Sequence, residues 1–194
     1  MEKSKTMEPI KVLAEIRASQ NTKCENIDWN KNIQYWKSTK SAEDNNRSWQ
    51  WQTCNEFGFY QTCEIDSQCP FAKGYHNKNQ DLEICQKAFH VSPEQVAKNV
   101  RDSRALYGGW HMQGSRILSV NGDVDPWSTL AITKDHGIHD PHNMPLYMVK
   151  GASHHFWTHP PKETDSPEVK KAREVIHKQV TTWLDDFDKV TNDS

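Results

Sequence analysis

Apolar residues follow two different rhythms along this chain, and the change falls near residue 106. Before it they are sparse and spaced for helices. Ile10, Val12, Leu13 and Ile16 predict a short helix over 9–20, behind Pro9. The polar, asparagine-rich stretch over 21–50 reads as loop with one helix around Trp29–Trp36. Residues 49–63 are dense in aromatic side chains and fit neither a strand nor a helix. Residues 70–80 read as a loop, and a helix is predicted over 81–89. Ser92-Pro93-Glu94-Gln95 is a helix start with a mechanism: the serine hydroxyl caps free N–H groups, proline presets the first φ, and glutamine stands three residues after the cap. Val96 and Val100 then share one face, and Gly108-Gly109 stops the helix.

Beyond residue 106 the pattern is that of buried strands. Ile117-Leu118-Ser119-Val120 is a short apolar run that ends in Asn121-Gly122, which predicts a strand running into a turn. Leu146-Tyr147-Met148-Val149 repeats the theme and ends at Gly151. Ser166-Pro167-Glu168 opens a last helix, in which Val169, Ala172, Ile176, Val180, Trp183 and Phe187 recur at spacings of three and four, an amphipathic helix of about six turns. Strand, crossover, strand and long helix is the order of a parallel α/β sheet. Residues 1–105 are therefore expected to form a partial helical, disulfide-tied domain and 106–194 an α/β one.

Composition narrows the function. The chain has 194 residues, 35% hydrophobic, with 8 Trp that supply apolar area where aliphatic residues are scarce. A net charge of −2 with both signs interspersed excludes a nucleic-acid surface, which needs a clustered positive face. No run approaches the roughly 20 apolar residues of a membrane span. Met1-Glu2-Lys3-Ser4-Lys5 has no apolar core behind it and is no secretory signal. Cys24, Cys54, Cys63, Cys69 and Cys85 form no Cys-x-x-Cys pair, which argues against a zinc ribbon. Their setting reads as disulfides in an oxidising compartment, and their odd number leaves one free or paired outside the chain. Disulfides without a signal lead us to expect a chain lacking an N-terminal part. Asn46-Arg47-Ser48 and Asn192-Asp193-Ser194 are glycosylation sequons.

Chemistry-bearing residues gather after the two predicted strands, the edge where α/β sheets place their sites. Asn121-Gly122-Asp123-Val124-Asp125-Pro126-Trp127 follows the first and Gly151-Ala152-Ser153-His154-His155 the second. An acid on one post-strand loop and a histidine on the next is the chain order Asp…His of α/β-hydrolases. A carboxylate holds the imidazole in one tautomer, and the imidazole takes the proton of a weak hydroxyl nucleophile. Two other readings compete. His136, His139 and His142, with Asp135, Asp140 and the more distant His159, offer a loop of metal ligands. The aromatic block Trp49, Trp51, Phe57, Phe59 and Tyr60 could serve a non-catalytic partner-binding module, against the simpler expectation that it packs the junction between helices and sheet.

One resemblance decides among these. The block from Arg47 to Cys63, then Cys69-Pro70-Phe71, Leu82-Glu83-Ile84-Cys85, Tyr107-Gly108-Gly109 and residues 121–127 occur in the order found in the serine peptidase family of lysosomal Pro-Xaa carboxypeptidase, dipeptidyl peptidase II and thymus-specific serine protease. The thymus-specific branch is the most similar. The resemblance covers roughly 47–187 and, more weakly, the start. It implies the C-terminal part of an α/β-hydrolase sheet with part of a helical cap domain. Catalytic Asp125 stands directly before Pro-Trp and catalytic His154 lies in the Gly-x-x-His turn, with Asp123 and His155 as neighbouring decoys. Cys54 is implied to pair with Cys85, whereas Cys24 and one of Cys63 or Cys69 would reach cysteines lying earlier in a longer protein. Trp127, Phe57 and Tyr60 are candidate substrate contacts. The implied activity is exopeptidase cleavage of peptides, often after proline, as a carboxypeptidase or a dipeptidyl-peptidase, with no cofactor or metal. The full-length form is implied to be secreted or lysosomal, with a homodimer open to it. The departure lies in the nucleophile: no Gly-x-Ser-x-Gly occurs in these residues, and Gly114-Ser115-Arg116 lies before a strand rather than after one. The chain alone is therefore expected to be inert and, with an uncovered sheet, poorly soluble.

Overall fold

The computed structural model describes residues 9–20, 28–40, 45–69, 73–137 and 140–192. Six helices and two strands occur there: α1 Pro9–Ser19, α2 Trp29–Lys37, α3 Asn45–Gln52, α4 Lys78–Phe89, α5 Pro93–Tyr107, β1 Ser119–Gly122, β2 Leu146–Val149 and α6 Pro167–Asn192. Among the described residues no helix is long and apolar enough to cross a membrane.

Local chemistry sets most helix starts. Asp28 caps α2 by accepting from the Asn30 and Lys31 amides. A reciprocal box between Asn77 and Gln80 opens α4 three residues before the predicted start. Ser92 accepts from the Gln95 amide at 3.2 Å, Pro93 opens α5, and Gly108 ends it in the left-handed region at φ 85. A side chain at Gly108 would bring its Cβ to 2.8 Å from the Met112 backbone, so glycine is required there on two counts.

Helix α4 is the hub of the helical part. On one side Ile84 and Ala88 pack with Ile33 of α2, flanked by Trp29 and Trp36. On the other, Cys85 joins Cys54, Val91 and Val96, with Tyr60, Leu82 and Val100 around them. Phe89 borders both clusters. The Cys54–Cys85 disulfide ties α4 to a π-helical turn, Thr53–Phe57, that continues α3.

Three expectations are corrected here. The aromatic block is not irregular at its start: it is helical over α3 and then the π turn, and residues 45–50 are not loop. Trp51 does not pack the junction but stands 47% exposed. Cys63 and Cys69 bond to each other, so neither reaches an outside partner. A turn, with the Ser67 amide donating to the Glu64 carbonyl, folds that loop back and brings the two Cα atoms to 5.4 Å. That is bridging range. Cys24 and His139 lie outside the described residues.

The second part holds a two-stranded parallel sheet in which Ser119 pairs with Leu146 and Gly122 with Val149. Strand β1 begins two residues later than predicted, and Asn121-Gly122 belongs to the strand rather than to a turn. Helix α6 covers one face: Val169 and Ala172 pack with Val149, Ala152 and Trp157, bordered by Val120, Tyr147 and Ile176. Ser166 caps α6 through the Val169 amide, and Arg173 reaches back to Asp165 and the carbonyls of Trp157 and His159. Further along, the apolar stripe of α6 leaves the sheet behind, with Val180, Leu184 and Phe187 exposed. Met148, on the other side of β2, is 45% exposed. Parallel sheets are ordinarily covered on both faces; among the described residues this one has an apolar cluster on one face.

Candidate active site

The loops leaving β1 and β2 touch at their first residues. An added Cβ at Gly122 would sit 2.1 Å from the Ala152 carbonyl oxygen, so the two strand tips approach at a distance only glycine permits. The Val124 amide donates to that same carbonyl at 3.3 Å. Asp123 fastens the loops from the other direction, its Oδ1 accepting from the Gly151 amide at 2.6 Å.

Asp125 comes next, as the cap of a short 3-10 turn over Pro126–Leu130. Its two oxygens have separate partners. Oδ1 accepts from the Trp127 amide at 2.9 Å, and Oδ2 lies 2.7 Å from Nδ1 of His154. The Asp125 side chain is 9% exposed and that of His154 45%, so the carboxylate is withdrawn while the imidazole keeps one side open. A carboxylate accepts from Nδ1–H, which leaves the lone pair of the neutral ring on Nε2, free to take a proton.

Aromatic rings surround the imidazole. The Trp127 indole stands at 82° to it with centroids 4.4 Å apart, and His155 follows at 4.3 Å. Trp127 also donates from Nε1 to the Phe59 carbonyl at 3.2 Å and neighbours Trp49 at 5.5 Å. Trp49 meets Phe57, and Phe57 meets Phe59. Among the described residues the helical part thus touches the strand-tip loops through rings and the Trp127–Phe59 hydrogen bond.

Phe57 and Tyr60 line a cleft of about 1410 Å³ between the helical part and the segment after the 3-10 turn, alongside Phe59, Arg104, Trp110 and Ile132. Burial, then the nearby Asp81 charge, pushes the Tyr60 phenol up to about 12. It stays protonated at any physiological pH and is no base. Its hydroxyl is turned to the Cys85 sulfur at 3.3 Å and the Thr53 carbonyl at 3.5 Å, so the ring rather than the hydroxyl faces the cleft. Trp127 lies off this cleft and against His154 instead.

The histidine loop takes a different shape from the one its spacing offered. Among the described residues no group of three His, Cys, Asp or Glu side chains is placed to hold a metal. His136 stacks on Trp110 at 9° and 4.8 Å. Asp140 spends its oxygens on the His142 and Asn143 amides and the Asn143 side chain.

Paired at strand tips, a withdrawn carboxylate and a half-open imidazole are the arrangement that hydrolases of the triad class use to activate a hydroxyl. Comparison with known proteins takes the same direction. The family model described as serine carboxypeptidase S28 matches residues 2–176, and the chain belongs to that family of serine peptidases. It is 41% identical over 143 residues to the thymus-specific serine protease of Mus musculus, covering 74% of this chain and 27% of that one. The corresponding human protein is 36% identical over 138 residues, covering 71% and 26%. A probable extracellular serine carboxypeptidase of Arthroderma benhamiae is 28% identical over 127 residues, covering 60% and 16%. The chain spans about a quarter of the length of the first two relatives. No solved structure matches it significantly.

Proposed function

We propose that this chain carries the acid–base pair of a serine-type exopeptidase whose nucleophilic serine lies outside these residues. The 2.7 Å contact between Asp125 and His154 carries the reading. In it, His154 Nε2 removes the proton of an attacking serine hydroxyl and returns it to the leaving amine. Asp125 fixes the tautomer and steadies the imidazolium. Asp123 and His155 are not members of the pair: Asp123 spends its near oxygen on the Gly151 amide, and the His155 Nδ1 sits 3.2 Å from the Thr158 hydroxyl.

Residues 106–194 act as the C-terminal part of an α/β-hydrolase domain and 1–105 as part of a helical cap. The cleft holding Phe57 and Tyr60 takes the peptide, and the complete protein cleaves one or two residues from a chain end, often next to proline. Its compartment is secretory or lysosomal, which the two disulfides and the extracellular relative support.

The test uses the protein that includes the nucleophile. Asp125→Asn and His154→Ala should each lower peptide hydrolysis by about 10³-fold or more, while His155→Ala keeps it within a few-fold. Near-normal turnover in the His154 variant removes the proposal.

A further inference from the structure

We infer that Trp127 is a positioning residue for His154, through which the placement of the helical part reaches the acid–base pair; the inference rests on the pairing proposed above. A single hydrogen bond fixes one atom of an imidazole but leaves the ring free to swing about that contact. On the His154 ring the second restraint from outside its own loop is the Trp127 indole, nearly perpendicular at 82° and 4.4 Å. His155 also touches the ring, but it belongs to the same loop and moves with it.

The brace is itself held at three points. Asp125 Oδ1 accepts from the Trp127 backbone amide, so one carboxylate places both the imidazole and the ring that limits it. Trp49 packs on the indole at 5.5 Å. The third hold crosses the molecule: indole Nε1–H donates to the carbonyl of Phe59, 68 residues away. That carbonyl is itself set rigidly. Gly58 and Phe59 both have positive φ, at 73° and 65°. The Gly58 amide closes the π turn on the Thr53 carbonyl at 3.0 Å, and Cys54 of that turn is bonded to α4. Phenylalanine at positive φ is costly and persists only where its surroundings dictate it. The carbonyl direction that this conformation gives is the one the indole uses.

A helical part that shifts relative to the strand tips therefore alters the freedom of the imidazole without touching it. Trp127 is a wall that fixes the direction of Nε2, a role distinct from the substrate contact its sequence position implied.

The experiment reads the His154 Nδ1–H proton by NMR in the intact chain uniformly labelled with ¹⁵N, with Val149 amide exchange as the control for folding. Trp127→Ala should speed exchange of that proton about tenfold, the scale of a lost aromatic pair, with Val149 protection unchanged. Trp127→Phe keeps a ring but loses the tether to Phe59 and should fall between. A wild-type exchange rate in Trp127→Ala overturns the inference. Should Trp127→Ala unfold, seen as lost Val149 protection, Trp127→Phe decides alone, and a wild-type rate there overturns it. Since no turnover is read, either failure leaves the proposed function standing. Absence of a hydrogen-bonded Nδ1–H in the unsubstituted chain would instead sink the pairing itself.

Discussion

The helical part and the sheet part are held together by different means. Around α4 the helices bury residues on two sides, and a disulfide joins the centre of one cluster to a neighbouring turn. Around β2 a single apolar cluster lies under α6, while Met148 and the far stripe of α6 face outward. Yet the closest geometry of the molecule, the meeting of Gly122, Asp125 and His154, belongs to the less covered region. Close geometry there comes from hydrogen bonds between loop backbones and short carboxylate contacts, not from depth of core.

Substitutions can break or sharpen that contrast. The largest effect is expected from removing the Cys54–Cys85 bridge with a double Cys→Ala change, which should cost about 4 kcal/mol by loop entropy. The Cys63–Cys69 bridge spans only 6 positions and should cost about 2 kcal/mol. Urea unfolding followed by fluorescence measures both, and equal losses would show that the helical part depends no more on its central tie than on the short bridge.

Gly122→Ala drives a Cβ into the Ala152 carbonyl and should destabilise the sheet part by about 3 kcal/mol, with the His154 Nδ1–H signal lost first. Unchanged stability would mean that the strand tips have room to separate. Next, Val149→Ala should cost about 2 kcal/mol, whereas Met148→Lys, one residue away on the uncovered face, should change stability by no more than about 0.5 kcal/mol. Similar losses at the two positions would show that the second face is covered in solution.

The smallest effects concern acid, and here the two parts should respond with opposite sign. Burial pushes the Asp81 carboxyl up, with His76 drawing it partly back. A raised folded value gives a contribution present below the ordinary aspartate range and lost as pH rises through the raised value. Asp165 is held down by the Lys162 amide and by Arg173. Its contribution is present above the ordinary range and lost as pH falls through the depressed value. Thermal melting between pH 3 and 6 should therefore show Asp81→Asn removing a loss on the upper side and Asp165→Asn removing one on the lower. Parallel pH profiles for the two variants would erase the contrast.

Much of this was legible where chemistry is local. Ser92, Pro93 and Gly108 mark α5 because capping and φ restriction act within a few residues, and the same holds for Ser166 and α6. The Asn77–Gln80 box shows that a signal can be present and still be passed over when a loop-like composition surrounds it. Helix α3 has no apolar stripe in Asn-Asn-Arg-Ser-Trp-Gln-Trp-Gln to announce it; Cys54 and Tyr60 anchor the π turn that follows it to α4 through distant partners. Asn121-Gly122 resembles a turn because glycine serves two purposes, positive φ and close approach, and sequence does not say which. For the site, strand-end placement and resemblance together singled out Asp125 and His154. The partners of Trp127 stayed hidden because Phe59 stands 68 residues away and contributes a carbonyl, a group every residue has.

Asp123 carries a practical warning. Its carboxylate pins the Gly151 amide at 2.6 Å, two residues before Asp125, the residue that faces the imidazole. An activity screen of acidic residues would flag Asp123 as readily as Asp125, since loosening the clasp displaces His154 through the backbone. Telling a hinge pin from a working part then requires partial rescue: Asp123→Asn retains an oxygen able to accept from the same N–H, and Asp125→Asn has no negative charge left to offer the ring.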